Sequence, residues 1–176
     1  MSRSKETLPI IRFVAVTVLS LMGFFVVIHL AFVQRHLIGP YTQFVAASSR
    51  AALRLLGVDA GGSGTFIGSP EFSVTILNVC NGVEVTAILF AVILAFPATW
   101  KNKTIGLAIG YPTIFAINLI RIVVLFFLGF KNPDIFETVH YYYAQAFVIL
   151  ATLAVWLLWV SLFTVYGTKT DQVAAN

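Results

Sequence analysis

The sequence predicts an all-α integral membrane protein with about four transmembrane helices, an extracytoplasmic interfacial helix and a small β-hairpin. Three observations carry that prediction. First, 59% of the 176 residues are hydrophobic and 10% are charged, against about 45–50% and about 25% in soluble domains. A water-soluble fold of this length would expose much of that apolar surface, which excludes a soluble enzyme. Second, four stretches approach the roughly 20 apolar residues that cross a hydrocarbon core of about 30 Å. Third, the long segment between the first two stretches is amphipathic and alternating instead of continuously apolar. One membrane domain over residues 1–176 is expected.

The first expected span is residues 10–33. It is longer than a signal-peptide core of about 7–15 residues, and no small-residue cleavage site follows it, so it reads as a retained helix. Residues 34–82 form the extracytoplasmic segment. Within it, residues 36–56 place Tyr41, Phe44, Ser48, Ala52 and Leu55 on one helical face, with Gln43, Ala47, Arg50 and Arg54 on another. Two arginines make this a poor span and a good interfacial helix. Gly57 ends it, and Gly61-Gly62-Ser63-Gly64 is a turn. Thr65-Phe66-Ile67 and the alternating Phe72-Ser73-Val74-Thr75-Ile76 flank a Gly-Ser-Pro turn, the pattern of a hairpin. The remaining spans are 83–100, 104–130 and 141–166. The second and third are joined by a polar turn at Lys101-Asn102-Lys103 behind Trp100.

The 11 basic residues stand singly or in pairs, with no run or stripe of the kind nucleic-acid binding needs. They set topology instead. With Arg3, Lys5, Lys101, Lys103 and Lys169 inside, Arg12 near that face, and Arg35, Arg50, Arg54 and Lys131 outside, the tally and the short loops favour N-in, C-in.

In so apolar a chain each polar group near the membrane interior asks for a reason. Arg121 lies about 9 residues before the outer end of the third span, roughly 14 Å below it. Asn118 is one turn earlier on the same face, and Thr104 and Tyr111 extend the line. Arg121 either snorkels to lipid headgroups or serves a polar site. Cys80 is the single cysteine, which excludes intramolecular disulfides and dithiol chemistry. It sits where the outer segment enters the second span, in Asn78-Val79-Cys80-Asn81-Gly82-Val83-Glu84. Asn81 and Glu84 have capping-box spacing. That places the thiol at the positive end of a helix dipole, with Glu84 as a counterweight. The bland alternative is a small packed side chain. His140 precedes the fourth span, with Glu137 one turn back, placed to orient the ring if the helix has begun there; viewed alone, His140 reads more readily as an interfacial histidine among aromatic anchors.

Hairpin parity puts Cys80, the upper half of the third helix and His140 on one side of the bilayer in either orientation. A thiol, an imidazole with an ordinary pKa near 6.5 and a cation that cannot deprotonate form an inventory for nucleophilic acyl transfer. His29 and His36 are weaker candidates. Three histidines without paired spacing, no carboxylate cluster, no phosphate loop and no nucleophile elbow argue against a metal, haem or nucleotide, and no cofactor is expected.

Three motifs stand in order: Cys80-Asn81-Gly82 opening a span, Asn118-Leu119-Ile120-Arg121 deep in the next, and Phe136-Glu137-Thr138-Val139-His140 before the last. Over residues 13–166 the sequence resembles the exosortase/archaeosortase family of membrane cysteine transpeptidases. Ala95-Phe96-Pro97 further resembles its compact exosortase H branch. The resemblance implies packed transmembrane helices and a catalytic set at Cys80, Arg121 and His140; Asn118, Glu137, Asn81 and Glu84 are read from their own positions in the sequence as supporting residues. It also implies membrane-anchored substrates with an Ile-Pro-Thr-Leu type motif, a transmembrane helix and a basic tail, cut at the outer face of a bacterial inner membrane. The alternative from another class is a non-catalytic carrier or envelope-assembly partner, binding an anionic ligand or lipid through Arg121.

Overall fold

The computed structural model describes residues 3–163; Lys169 and positions 164–166 of the fourth expected span lie outside them. In chain order the elements are α1 (Arg3–His29), a one-turn α2 (Ala31–Val33) running into a π-helical turn (Gln34–Ile38), and α3 (Gly39–Leu55). Strands β1 (Phe66–Gly68) and β2 (Ser73–Thr75) follow, then a 3-10 turn (Asn78–Cys80), α4 (Val83–Ala95) and α5 (Trp100–Lys131). A short α6 (Pro133–Thr138) passes through a second π-helical turn (Val139–Tyr143) into α7 (Ala144–Phe163). Among the described residues, three stretches are long and apolar enough to cross a membrane: Ile10–His29, Trp100–Lys131 and Pro133–Phe163. The all-α membrane fold with its small sheet is the predicted one.

The second expected span is shorter than 83–100. Helix α4 has 13 residues, about 20 Å of rise, less than the roughly 30 Å of a hydrocarbon core. It packs against α1, α5 and α7, which explains why its sequence is apolar all round. The chain leaves the helix at Phe96, which is extended with ψ 138°. Trp100 therefore opens α5 instead of closing α4. Lys101-Asn102-Lys103, expected as the turn, forms the first turn of α5, capped by Thr99, whose side chain accepts the Asn102 N–H. Tertiary partners hold it there. Asn102 Nδ2 donates to the Phe163 carbonyl at 2.6 Å, and Lys103 Nζ donates to that of Leu94. The Trp159 indole donates to the Asn102 carbonyl at 3.0 Å. It lies over Gly106, where a Cβ would collide with the Trp159 indole.

The first span ends at His29 instead of residue 33, because Leu30 is extended with ψ 132°. Gln34 Nε2 reaches back to the Ile28 carbonyl at 2.6 Å, satisfying a group freed by the break. Helix α3 buries Thr42, Val45, Ala46, Ser49 and Leu53, neither of the two faces read from the sequence. The reason is chemical. Thr42 and Ser49 donate their hydroxyls to the carbonyls four residues back, at 2.8 and 2.9 Å, so letters that look polar are satisfied internally and pack as small residues. The arginines of α3 hold the hairpin segment: Arg50 donates to the Gly64 and Phe66 carbonyls at 3.2 and 2.8 Å, and Arg54 to that of Ala60 at 2.6 Å.

The hairpin has the expected position. Its antiparallel register pairs Phe66 with Thr75, Ile67 with Val74 and Gly68 with Ser73. Beneath it lies one core cluster, with Val45, Leu53, Ile67, Ile76, Cys80, Ile122 and Phe126. A second cluster around Leu89, Ile93, Ile114 and Trp159 fills the end near the 96–99 turn. Along α5 the buried strip is Gly106, Gly110, Ile114, Asn118, Arg121 and Ile122. Thr104 and Tyr111 are exposed and do not continue it, because close packing follows a four-residue ridge and not a seven-residue one.

Candidate active site

The segment Cys80-Asn81-Gly82 links the 3-10 turn to α4, and each residue has a separate task. The expected Asn81–Glu84 capping box is replaced by a tighter local turn. Asn81 Oδ1 accepts the Val83 N–H two residues on at 2.9 Å, an arrangement short polar side chains favour. Gly82 takes the N-cap position with φ 86°, a left-handed conformation that costs about 1–2 kcal/mol for other residues. A Cβ there would also press on the Asn118 side chain at 3.2 Å. Asn81 Nδ2 donates to Thr42 Oγ1 at 2.8 Å. The Thr42 hydroxyl lies 2.9 Å from Asn78 Oδ1, and Asn78 Nδ2 donates to Gln34 Oε1 at 2.7 Å. This polar chain fastens the cysteine turn to α3 and the π-helical turn before it. Sequence reading missed Thr42, Asn78 and Gln34, which lie in separate stretches of the chain and meet only in the fold.

The three candidate residues come together. Cys80 Sγ lies 3.6 Å from His140 Nε2, within reach for S–H donating to Nε2 or, after proton transfer, Nε2–H donating to the thiolate. Arg121 is 6% exposed and Asn118 1% exposed. Asn118 bridges the site: its Nδ2 donates to the Cys80 carbonyl at 3.2 Å, and its Oδ1 accepts a long bond from Arg121 Nη1 at 3.4 Å. Arg121 Nε is buried and without a hydrogen-bond partner among the described residues, leaving the guanidinium with unspent donors. Cys80, Arg121, His140 and Glu137 line one cavity of about 250 Å³, together with residues 73–77 and Phe136.

His140 sits in the π-helical turn Val139–Tyr143, inside a continuous helical run instead of before the span. The extra residue per turn alters the direction in which neighbouring side chains leave the helix, and such turns recur at functional sites. Glu137 does not hold the ring, since Nδ1 is buried without a hydrogen-bond partner among the described residues. The ring instead stacks on Phe136, with centroids 5.6 Å apart and planes 13° off parallel, and meets the edge of Tyr141 at 5.1 Å. Aromatic packing orients this imidazole where a carboxylate was expected to.

Residues 11–166 match the family described as transmembrane exosortase (Exosortase_EpsH). The chain belongs to that family. This exosortase-family chain is also similar to archaeosortase A of Haloferax volcanii (strain DS2), at 33% identity over 93 aligned residues. That match covers 47% of the chain and 31% of the archaeal protein, so the chain aligns with about a third of the length of this curated relative. No solved structure matches the chain.

Electrostatics at the sulfur of the exosortase-family chain are a contest. Burial pushes the Cys80 thiol above the ordinary thiol range; the Arg121 guanidinium opposes this by its charge and by hydrogen bonding, and Glu84 adds an upward push. The cation thus favours the thiolate against burial and Glu84. Because Glu84 raises the thiol, Glu84→Gln is expected to lower its apparent pKa and speed alkylation by a small polar maleimide near neutral pH. A rate–pH curve unmoved by Glu84→Gln contradicts that assignment.

Proposed function

We propose that this chain is a membrane-embedded cysteine protease/transpeptidase that cleaves the C-terminal sorting signal of secreted proteins and transfers the acyl product to an acceptor. The observation that carries the reading is the single thiol 3.6 Å from an imidazole, in one cavity with a buried guanidinium. Family membership supports a sorting transpeptidase in general.

In this reading Cys80 Sγ attacks a peptide carbonyl and its proton passes to His140 Nε2. Arg121, positioned by Asn118, stabilises the tetrahedral oxyanion through its free donors. The leaving amine takes the proton from His140 as the intermediate collapses to a thioester. An acceptor amine, or water, then releases the product and restores the thiol. Asn81 positions the nucleophile by anchoring the turn to Thr42.

The substrates are membrane-anchored proteins carrying an Ile-Pro-Thr-Leu type motif, a transmembrane helix and a basic tail. The site faces the extracytoplasmic side of a bacterial inner membrane, N-in and C-in, within reach of lipid headgroups. Lys101 and Lys103 at the opposite end of the helices support that orientation. The test is capture of the intermediate. Membranes co-expressing a substrate are expected to yield an enzyme–substrate adduct at Cys80 that neutral hydroxylamine releases. A hydroxylamine-stable adduct, or one that persists in Cys80→Ala, overturns the thioester.

A further inference from the structure

The hairpin supplies a feature the catalytic residues do not use. Among the described residues, its sheet has two strands, so β2 has one edge paired with β1 and one free. The ladder identifies the free groups. Ile76 N–H donates to the Thr65 carbonyl at 2.9 Å, and Ser69 N–H to that of Phe72 at 2.8 Å. Hydrogen-bonded pairs alternate along an antiparallel ladder, so Val74 is the bonded partner of Ile67. Ser73 and Thr75 therefore turn their N–H and C=O groups away from β1.

That free edge borders the catalytic cavity. Residues Ser73, Val74, Thr75, Ile76 and Leu77 all line it, although Val74 and Ile76 belong to the core under the sheet. A cavity touched by odd and even positions alike runs along a strand, since side chains alternate between faces. Phe136, Glu137, His140 and Tyr141 line the same cavity, as do Arg121 and, in the turn that β2 leads into, Cys80. One cavity thus holds the strand with outward backbone donors and acceptors together with the nucleophile.

We propose that the free edge of β2 docks the substrate segment next to the scissile carbonyl, which adds to the sheet as a third strand through the backbone of Ser73 and Thr75. Strand addition draws affinity from main-chain hydrogen bonds and leaves side chains to alternate pockets. An edge built this way holds the segment extended and delivers its carbonyl toward Cys80. The proposal rests on the transpeptidase reading for the identity of the occupant, but its geometry is independent of which group attacks.

The experiment uses a membrane-anchored reporter ending in a C-terminal sorting signal. Thr75→Pro deletes an outward N–H and leaves the bonds to β1 intact, a placement edge strands tolerate. Processing is expected to fall about tenfold, the worth of one backbone hydrogen bond. Thr75→Val, which keeps the N–H, is expected to process the reporter several-fold better than Thr75→Pro does, and both variants are expected to keep the parental alkylation rate at Cys80. Thr75→Pro that processes like the parent overturns the proposal. A second arm needs no turnover: in a Cys80→Ala chain carrying Ser73→Cys, single cysteines are walked through the reporter segment preceding its membrane helix. Disulfide cross-links strong at every second position support strand addition. Uniform cross-linking, or cross-links only between two copies of the chain, overturns it. Failure of the catalytic reading looks different: Cys80→Ala would then process the reporter, whatever the cross-linking pattern.

Discussion

A Cys80→Ala chain is expected to fold and insert normally and to leave a membrane-anchored sorting substrate uncut, with processing reduced at least about 1,000-fold, as when a nucleophile is removed from a catalytic unit. The structure separates the two effects. Two main-chain bonds hold this residue: Cys80 N–H donates to the Leu77 carbonyl at 2.9 Å, and its own carbonyl accepts from Asn118 Nδ2 at 3.2 Å. Alanine keeps both. What it loses is a buried sulfur, a packing change of about 1 kcal/mol, and the contact of that sulfur with His140 Nε2. Cys80→Ser keeps the shape more closely still, yet its hydroxyl is a far weaker nucleophile without a stronger base, and it is expected to be as inactive. The measurement is the ratio of precursor to shortened product, alongside thermal unfolding in detergent. Parental processing by Cys80→Ala would remove the nucleophile from the mechanism.

The helices were legible because about 20 apolar residues in a row have few other uses in a chain this poor in charge. The hairpin was legible from strict alternation over residues 72–76. Helix ends were less so. Hydropathy ran through Phe96 to Trp100 because an apolar turn scores like an apolar helix; only the extended Phe96 backbone and the Thr99 cap separate them. Lys101-Asn102-Lys103 read as a loop because the bonds that hold it, from Asn102 to the Phe163 carbonyl and from Lys103 to that of Leu94, are tertiary contacts no local pattern carries.

The candidate site was legible by inventory. One thiol, one deep arginine and one histidine on a shared face are few enough to consider singly, but their separation is a property of the packed helices. Glu137 was expected to orient His140 because a carboxylate one helical turn back commonly does so. The π-helical turn alters that spacing, and Phe136 takes the task by stacking. The burial that makes the site water-poor also works against the thiolate, and Arg121 opposes it, a coupling between two segments that the sequence alone does not carry.

Arg121 therefore carries the second large effect. Arg121→Gln is expected to lower processing about 1,000-fold and Arg121→Lys about 100-fold, the range seen when donors to a developing oxyanion are removed. The two substitutions differ in what they leave behind. Lysine restores a charge but not a planar fork with several fixed donors, whereas glutamine leaves neither the charge nor the fork. The sulfur reports on this directly. With the cation gone, the apparent pKa of Cys80 is expected to move further up in Arg121→Gln, so alkylation at neutral pH slows; in Arg121→Lys it is expected to stay close to the parent. Folding is not expected to follow activity, because replacing a buried charge by a neutral group is often neutral for stability, and Asn118 keeps its bond to the Cys80 carbonyl. A guanidinium that served only lipid headgroups would leave processing and the Cys80 alkylation curve unchanged in both variants. Loss of processing without movement of the alkylation curve would instead confine Arg121 to holding the substrate carbonyl, with no part in setting the thiol.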